Sequence, residues 1–376
     1  MGGTMELASD ALWFAPGHRR VWDATCLADL FNCQQRYDYL RVQGLYPLPR
    51  DDQPPVNPHT EFGHLLHYMT EVWDSEAWLD LTPNECTRAA LGHVLTEAWG
   101  PEADKPFGGY ILDQWQCTGL EHRGPTRRRH FLCDAAKDWW VGAEAECPHC
   151  GRATKQKTAY APEHAAKNLR SLARAVIAYE EHRAQSPWKV ATVKEAPGLE
   201  LHLQARLPGT PYIISGTLDR LSEGPDGSLW VHERKTTGMT PNNTWWASFD
   251  MRLQLGIYIW LCQQNGLPVH GAILECFHIS AAGVNVEERT FSRSPSQIAE
   301  MLAAITHLLE KKLDGALPRH NYAACDHASG GQPCQFRRVC SVPAEDRPDV
   351  IALNYGTQPL WNPLTATHDD IQEEVE

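Results

Sequence analysis

Glu233 and Lys235 lie two residues apart in SLWVHERKTT (228–237), a run that alternates apolar and polar side chains. Successive side chains of a strand point to opposite faces, so Leu229, Val231, Glu233 and Lys235 share one, the last two about 6.7 Å apart along it. Two apolar residues mark that face as buried, where charge is costly unless paired or metal-bound. Upstream, Asp219 follows Gly216 and Thr217 in PYIISGTLDRL (211–221), and the turn EGPDG (223–227) makes the two runs antiparallel neighbours. Asp219 is therefore expected near Val231 and Glu233. Carboxylates so placed hold Mg²⁺ or Mn²⁺, which acidifies a bound water and offsets charge building on a phosphate. A lysine beside them orients or deprotonates that water and stabilises the transition state. The competing reading is a solvated surface hairpin with an ordinary Asp–Arg and Glu–Lys charge pattern.

Cysteine supplies the second chemical signal. The chain has 12, and no N-terminal run resembling a secretion signal, which favours metal chemistry over a disulfide framework. His130, Cys133, Cys147 and Cys150 follow the spacing H-x2-C-x13-C-x2-C, suited to a tetrahedral Zn²⁺ ribbon, with Cys117 or His122 open as replacements for His130. Arg127, Arg128 and Arg129 flank it and can touch a DNA backbone. Near the C-terminus, CDHASGGQPCQFRRVC contributes Cys325, Cys334 and Cys340 in a polar, Gly-rich loop that offers cysteine no core to join.

These residues need elements to position them. Helices are expected over LADLFNCQQRYDYLRVQG (27–44), TEFGHLLHYMTEVW (60–73), PEHAAKNLRSLARAVIAYEEHR (162–183) and MRLQLGIYIWLCQQNG (251–266), and from a Ser294 cap to Gly315. Period-two runs over 190–207, 211–221, 228–237 and GAILECFHIS (271–280) read as strands. The chain divides into an N-terminal helical part (1–103), a cysteine-bearing insertion (104–157), a core with the C-terminal cysteines (158–345) and a tail (346–376). Strands flanked by helices imply an α/β core. At 376 residues and 42% hydrophobic, the chain has apolar residues enough for one, and no stretch long enough to span a membrane. A cytoplasmic address follows by default, the host's cytoplasm if the chain is viral. The net charge of −13 weighs against a nucleic-acid partner, although the acidic end HDDIQEEVE (368–376) inflates it.

GTLDRL followed by HERKTT resembles two motifs of the RecB-type branch of the PD-(D/E)XK nucleases, G-x-x-D-R and [DE]-x-K-T. FGHLLH (62–67) is similar to that branch's G-x-x-x-H helix, and RLQLGIY (252–258) to its Q-x-x-x-Y helix. Leu218 stands where the nominal proline would, and Glu233 where aspartate is commoner. The likeness covers roughly residues 25–345, interrupted over 104–157. It implies a restriction-endonuclease-like core, a mixed central sheet flanked by helices. It implies His67, Asp219 and Glu233 as ligands of Mg²⁺ or Mn²⁺, with the Arg234 carbonyl as a further one. Lys235 would serve the water, while Gln254 and Tyr258, at i and i+4 on one helix face, would position DNA or Lys235. Some members, the AddB-type helicase–nucleases and CRISPR-associated exonucleases among them, carry a [4Fe–4S] cluster on four cysteines. That nominates Cys33 of FNCQQRYDYL with Cys325, Cys334 and Cys340; Cys26 competes with Cys33, and zinc with iron. The implied activity is DNA hydrolysis, more as an exonuclease on single-stranded or frayed duplex ends in repair, recombination or phage- or CRISPR-type processing, with a helicase or recombination partner and no membrane. A non-catalytic DNA-end-binding module and a site-specific endonuclease are the rival readings.

Overall fold

The computed structural model describes residues 13–15, 18–48, 58–99, 166–280, 282–313, 320–325 and 333–360, together with parts of 111–160. Its frame is a seven-stranded mixed sheet. The strands are β1 (Val21–Trp22), β2 (Lys189–Val190), β3 (Leu199–Arg206), β4 (Ile213–Glu223), β5 (Leu229–Thr237), β6 (Val269–Ile279) and β7 (Val284–Phe291). The path runs β2–β4–β5–β6–β7, with β3 and β1 also pairing with β4. The β5–β6 and β4–β1 pairs are parallel, and the other pairs of this sheet antiparallel. The tight β4–β5 turn closes with the Gly224 N–H donating to the Ser228 carbonyl and Gly227 at φ +78°.

Six helices flank the sheet in two groups with separate cores. α1 (Ala24–Asn32), α5 (Leu253–Gln264) and α6 (Pro295–Leu313) bury Leu27, Leu255, Leu261 and Ile305 against Leu221, Val231 and Leu274. α2 (Pro58–Trp78), α3 (Pro83–Trp99) and α4 (Leu169–Arg183) bury Phe62, Leu66, Met69, Val94 and Val176 against Phe277 and Ile279. The α2 residues recur every three or four positions, which is why one stripe of that helix faces inward. Residues Leu255 to Cys262 of α5 are all buried, as befits a helix lying between sheet and α6. A mixed central sheet with helices is thus the observed class, as expected.

Several elements differ from the sequence expectation. The helix expected over 27–44 breaks at Cys33, whose extended backbone (φ −163°, ψ 115°) ends α1; a short turn and a π-helical segment (Asp38–Val42) follow. Cys26 and Cys33 therefore do not share a helix face. α4 starts at Leu169, where Asn168 caps it reciprocally with Ser171, a stronger start signal than the upstream periodicity. β7 was not anticipated, because its polar edge-strand pattern lacks an apolar run. Within 346–376, Arg347–Asn354 is helical and Tyr355–Thr357 pairs antiparallel with Leu45–Pro47. This pairing joins two segments far apart in the chain around a small core of Tyr39, Leu45, Phe336, Val339 and Tyr355. The strand β5 is buried on both faces rather than one, since β4 and β6 flank it and helices cover both sides.

Candidate metal centre

Three adjacent strands bring acids to one level. The β4–β5 register pairs Arg220 with His232 and Leu221 with Val231, which sets Asp219 level with Glu233, one step beyond the ladder pairs. On the other side of β4, Leu199 pairs with Arg220 and Leu201 with Leu218, which sets Glu200 level with Asp219. Glu200 holds φ +42°, a left-handed conformation that costs a side-chain-bearing residue about 1–3 kcal/mol and persists only where the surroundings impose it. From α2, His67 reaches over the group, its Nδ1 3.2 Å from Asp219 Oδ1. The other Asp219 oxygen accepts the Arg234 backbone N–H at 2.7 Å. Lys235 donates through Nζ to Glu233 Oε1. The second Glu233 oxygen, Oε2, is buried with no hydrogen-bond partner. Gln254 and Tyr258 on α5 join as expected at i and i+4, Nε2 to hydroxyl at 3.0 Å. The Tyr258 ring lies over Gly216, where a Cβ would come within 2.7 Å of it, so only glycine lets α5 approach β4 there.

The electrostatics of the group are uneven. Burial alone would raise the Asp219 carboxyl, but His67, Arg234 and Lys235 hold it well below the usual carboxylate range. Burial and the neighbouring Asp219 charge raise Glu233. Burial, then Asp219 and Glu71, push Glu200 up to about 9. Burial works against the Lys235 ammonium, yet Glu233 and Asp219 outweigh it and keep the group cationic. Tyr258 is raised by burial and by the Glu233 charge, so its hydroxyl stays a neutral donor. Acidic groups crowded about one ammonium, with one oxygen unsatisfied, are donors of the kind that a hard divalent cation takes.

Ligand atoms of His67, Glu200 and Asp219 lie within 4.8 Å of one another, close enough to share an ion, and so do those of His182, Glu275 and Glu288. The second group sits on the opposite sheet face in a buried ion network. Arg220 Nη1 holds Asp74 at 2.8 Å, Arg234 Nη2 binds the same Asp74, and Arg234 Nε holds Glu275 at 3.1 Å. Tyr179 donates to Asp74 at 2.8 Å, and His182 Nε2 lies 3.1 Å from Glu288. Three guanidiniums, those of Arg183, Arg220 and Arg234, already compensate these acids, so a metal there would meet repulsion.

Sequence reasoning singled out His67, Asp219, Glu233, Lys235, Gln254 and Tyr258, and the fold brings all six together. It missed Glu200, whose setting between Leu199 and Leu201 looks like any strand acid. It also missed Glu71, one turn beyond His67 on α2, although H-x-x-x-E at helical spacing was visible. Arg220 and Arg234, readable as solvated partners, are fully buried.

The cysteines separate into two regions. Burial raises the Cys340 thiol to about 11, Arg347 opposes, and Cys334, Cys325 and Cys33 add to the rise, so each of these three lies in the neighbourhood of Cys340. The Cys334 N–H donates to the Cys325 carbonyl at 2.8 Å, and Asn321 donates to the carbonyl of Asn32, beside Cys33, at 2.8 Å. Cys26 lies instead in the apolar core, its thiol 3.6 Å from Asp23. In the insertion, Cys147 donates its N–H to Arg152 and accepts from Cys150 through its carbonyl, a tight turn with Cys147 buried and Cys150 exposed. Cys133 and Arg127 fall outside the described residues, as do the side chains of Cys117, His122, Arg128, Arg129 and His130, so that set is not assembled here. Among the described residues no helix is long and apolar enough to cross a membrane.

A family model of the PD-(D/E)XK nuclease superfamily matches residues 22–341. Among solved structures, the crystal structure of SSO0001 shares 20% identity with the chain, covering 38% of it and 59% of SSO0001, at a TM-score of 0.25. The chain thus spans about three fifths of that protein's length. A "Putative exonuclease" from Eubacterium rectale shares 10% identity over 90% of this chain and 95% of its own, at a TM-score of 0.40. No curated protein matches the chain.

Proposed function

Since the chain belongs to the PD-(D/E)XK nuclease superfamily, we propose that it hydrolyses DNA phosphodiester bonds at a divalent-metal site formed by His67, Asp219 and Glu233. The observation that carries this reading is the buried Glu233 Oε2 without a partner, beside the His67–Asp219 pair. A bound Mg²⁺ or Mn²⁺ supplies a Lewis acid that acidifies water and offsets phosphate charge. Lys235, held cationic by its acidic neighbours, aims an ammonium at charge developing on the phosphate. Arg234 fixes one Asp219 oxygen through its backbone N–H, leaving the other toward His67. Tyr258, steadied by Gln254, offers a neutral hydroxyl donor beside Glu233 for a phosphate or the lysine.

Exonuclease action on single-stranded or frayed ends, alongside a helicase or recombination partner, is the finer form of the proposal and rests on the RecB-type motifs. Purified protein incubated with end-labelled and internally labelled single- and double-stranded DNA, with and without Mn²⁺, tests it. Metal-dependent release of mononucleotides or short oligonucleotides is expected. Binding without cleavage would leave a DNA-end-binding module, and discrete internal fragments would mark an endonuclease.

The neighbourhood of Cys340, which Cys33, Cys325 and Cys334 share, supports a second proposal, a [4Fe–4S] cluster stapling the segment around Cys33 to that around Cys340. Ligand binding would then add to folding energy. The protein should be brown, and Cys334→Ala should bleach it; zinc in place of iron refutes the cluster and spares the nuclease. Zn²⁺ on the insertion through His130, Cys133, Cys147 and Cys150 is proposed on its spacing and the Cys147–Cys150 turn. Deleting about residues 108–155 should then remove zinc and leave the colour.

A further inference from the structure

We infer that Glu200 is a ligand of the divalent ion, delivered from the strand on the far side of Asp219 from Glu233. The inference rests on the metal-dependent reading above and extends it to a residue outside the four motifs. The superfamily-type motifs lie on α2, β4, β5 and α5, and none includes β3. Yet the β3–β4 register sets Glu200 level with Asp219, and its carboxylate comes within 4.8 Å of ligand atoms of both Asp219 and His67. Glu200 stands between Leu199 and Leu201 with its backbone in the left-handed region.

A cluster of acids alone would not make a ligand set; the unpartnered, buried Glu233 Oε2 is the independent sign that something is missing. Glu233 is 2% exposed, binds Lys235 through its other oxygen and stands level with Asp219 on the next strand, beside the group. Charge gives the same answer. The acidic groups Asp219, Glu233 and Glu200 gather about a single ammonium, that of Lys235, and a divalent ion would offset their crowding. Hard divalent ions favour several oxygen donors, and Glu200 adds one within reach of His67 and Asp219. The alternative partner for Glu200, a guanidinium, is on the opposite sheet face, committed to Asp74 and Glu275.

The test uses the full-length protein and Mn²⁺ alone, without DNA. Glu200→Gln keeps the shape and removes the charge. It should weaken Mn²⁺ binding by about tenfold or more in calorimetry and shrink the rise in melting temperature that Mn²⁺ produces, while the melting temperature in chelator stays at or above that of the unaltered protein. Glu200→Asn, a residue type that tolerates the left-handed backbone, serves as a second neutral variant should the glutamine fold poorly. Unaltered Mn²⁺ affinity in either folded variant overturns the assignment. Asp219→Asn separates the two levels. If it loses Mn²⁺ while Glu200→Gln does not, only Glu200 is wrongly assigned. If Asp219→Asn also binds as before, the metal-site reading itself fails.

Discussion

Strands β4 and β5 carry two buried charge clusters back to back, and the two solve the same problem in opposite ways. On one face Asp219, Glu233 and Glu200 outnumber their cation, Lys235, and a Glu233 oxygen is left without a partner. On the other, Asp74, Glu275 and Glu288 meet Arg183, Arg220, Arg234 and His182 in a network of ion pairs that leaves Arg183 Nε, Arg234 Nη1 and Glu275 Oε1 without a hydrogen bond but sets a cation against every acid. The residues alternate along the chain: Asp219 is followed by Arg220, and Glu233 by Arg234. Because a strand's side chains alternate, each acid–arginine pair sends the acid to one face and the guanidinium to the other. The acid is thereby denied the neighbouring arginine side chain as a partner. Buried charge is tolerable when compensated, so one face draws its counter-charges from the protein, and the proposed divalent ion would supply them to the other.

Breaking the compensated face should have the larger effect on the fold. Arg234→Met takes one guanidinium from both Asp74 and Glu275 and should cost about 3–5 kcal/mol in denaturant unfolding, as removing one partner of a buried pair does. A loss under about 1 kcal/mol would mean the network is not what holds the sheet face closed. On the other face, Lys235→Ala should lower the cleavage rate about 100-fold or more, roughly 2.7 kcal/mol of transition-state stabilisation, with little change in melting temperature. Near-normal turnover would dissociate this strand from the chemistry. Glu233→Gln sharpens the contrast further. It should stabilise the metal-free protein by about 1 kcal/mol, because a raised, crowded carboxyl is relieved, while activity falls. A destabilised metal-free variant would show that this face too is internally compensated.

The smallest effect is on pH dependence. Burial opposes the His182 imidazolium, but Glu275 and Glu288 raise it to about 9 in the fold, against about 6.5 unfolded. Its contribution is complete below pH 6.5 and fades as pH rises toward 9. Melting temperature should therefore decline between pH 7 and 10 more in the native sequence than in His182→Gln. Parallel slopes in the two proteins would remove His182 from the network's working set.

Chemistry confined to short sequence intervals was legible beforehand. Glu233 and Lys235 two apart, Gln254 and Tyr258 four apart, and Asp219 across one turn each follow from the period of a strand, the period of a helix or a tight hairpin. His67 needed a family resemblance to be connected to them, since α2 is about 150 residues from β4 and no local period links the two. Cys33 was nominated through the same resemblance, and the helix break that turns it out of α1 was not visible in a run of good helix formers.

What the sequence determined by itself, then, was the alternation that sorts each acid and arginine of β4 and β5 to opposite faces, and the apolar stripes that seat the helices. What waits in each direction was decided only by tertiary structure. Asp74 and Glu275 reach Arg220 and Arg234 from α2 and β6, and Glu200 reaches Asp219 from β3, through strand pairings and helix packing that no local pattern encodes. The physical reason is range. Side-chain direction is set by backbone sterics within a few residues, whereas compensation of a buried charge depends on which distant segment the close-packed core brings beside it.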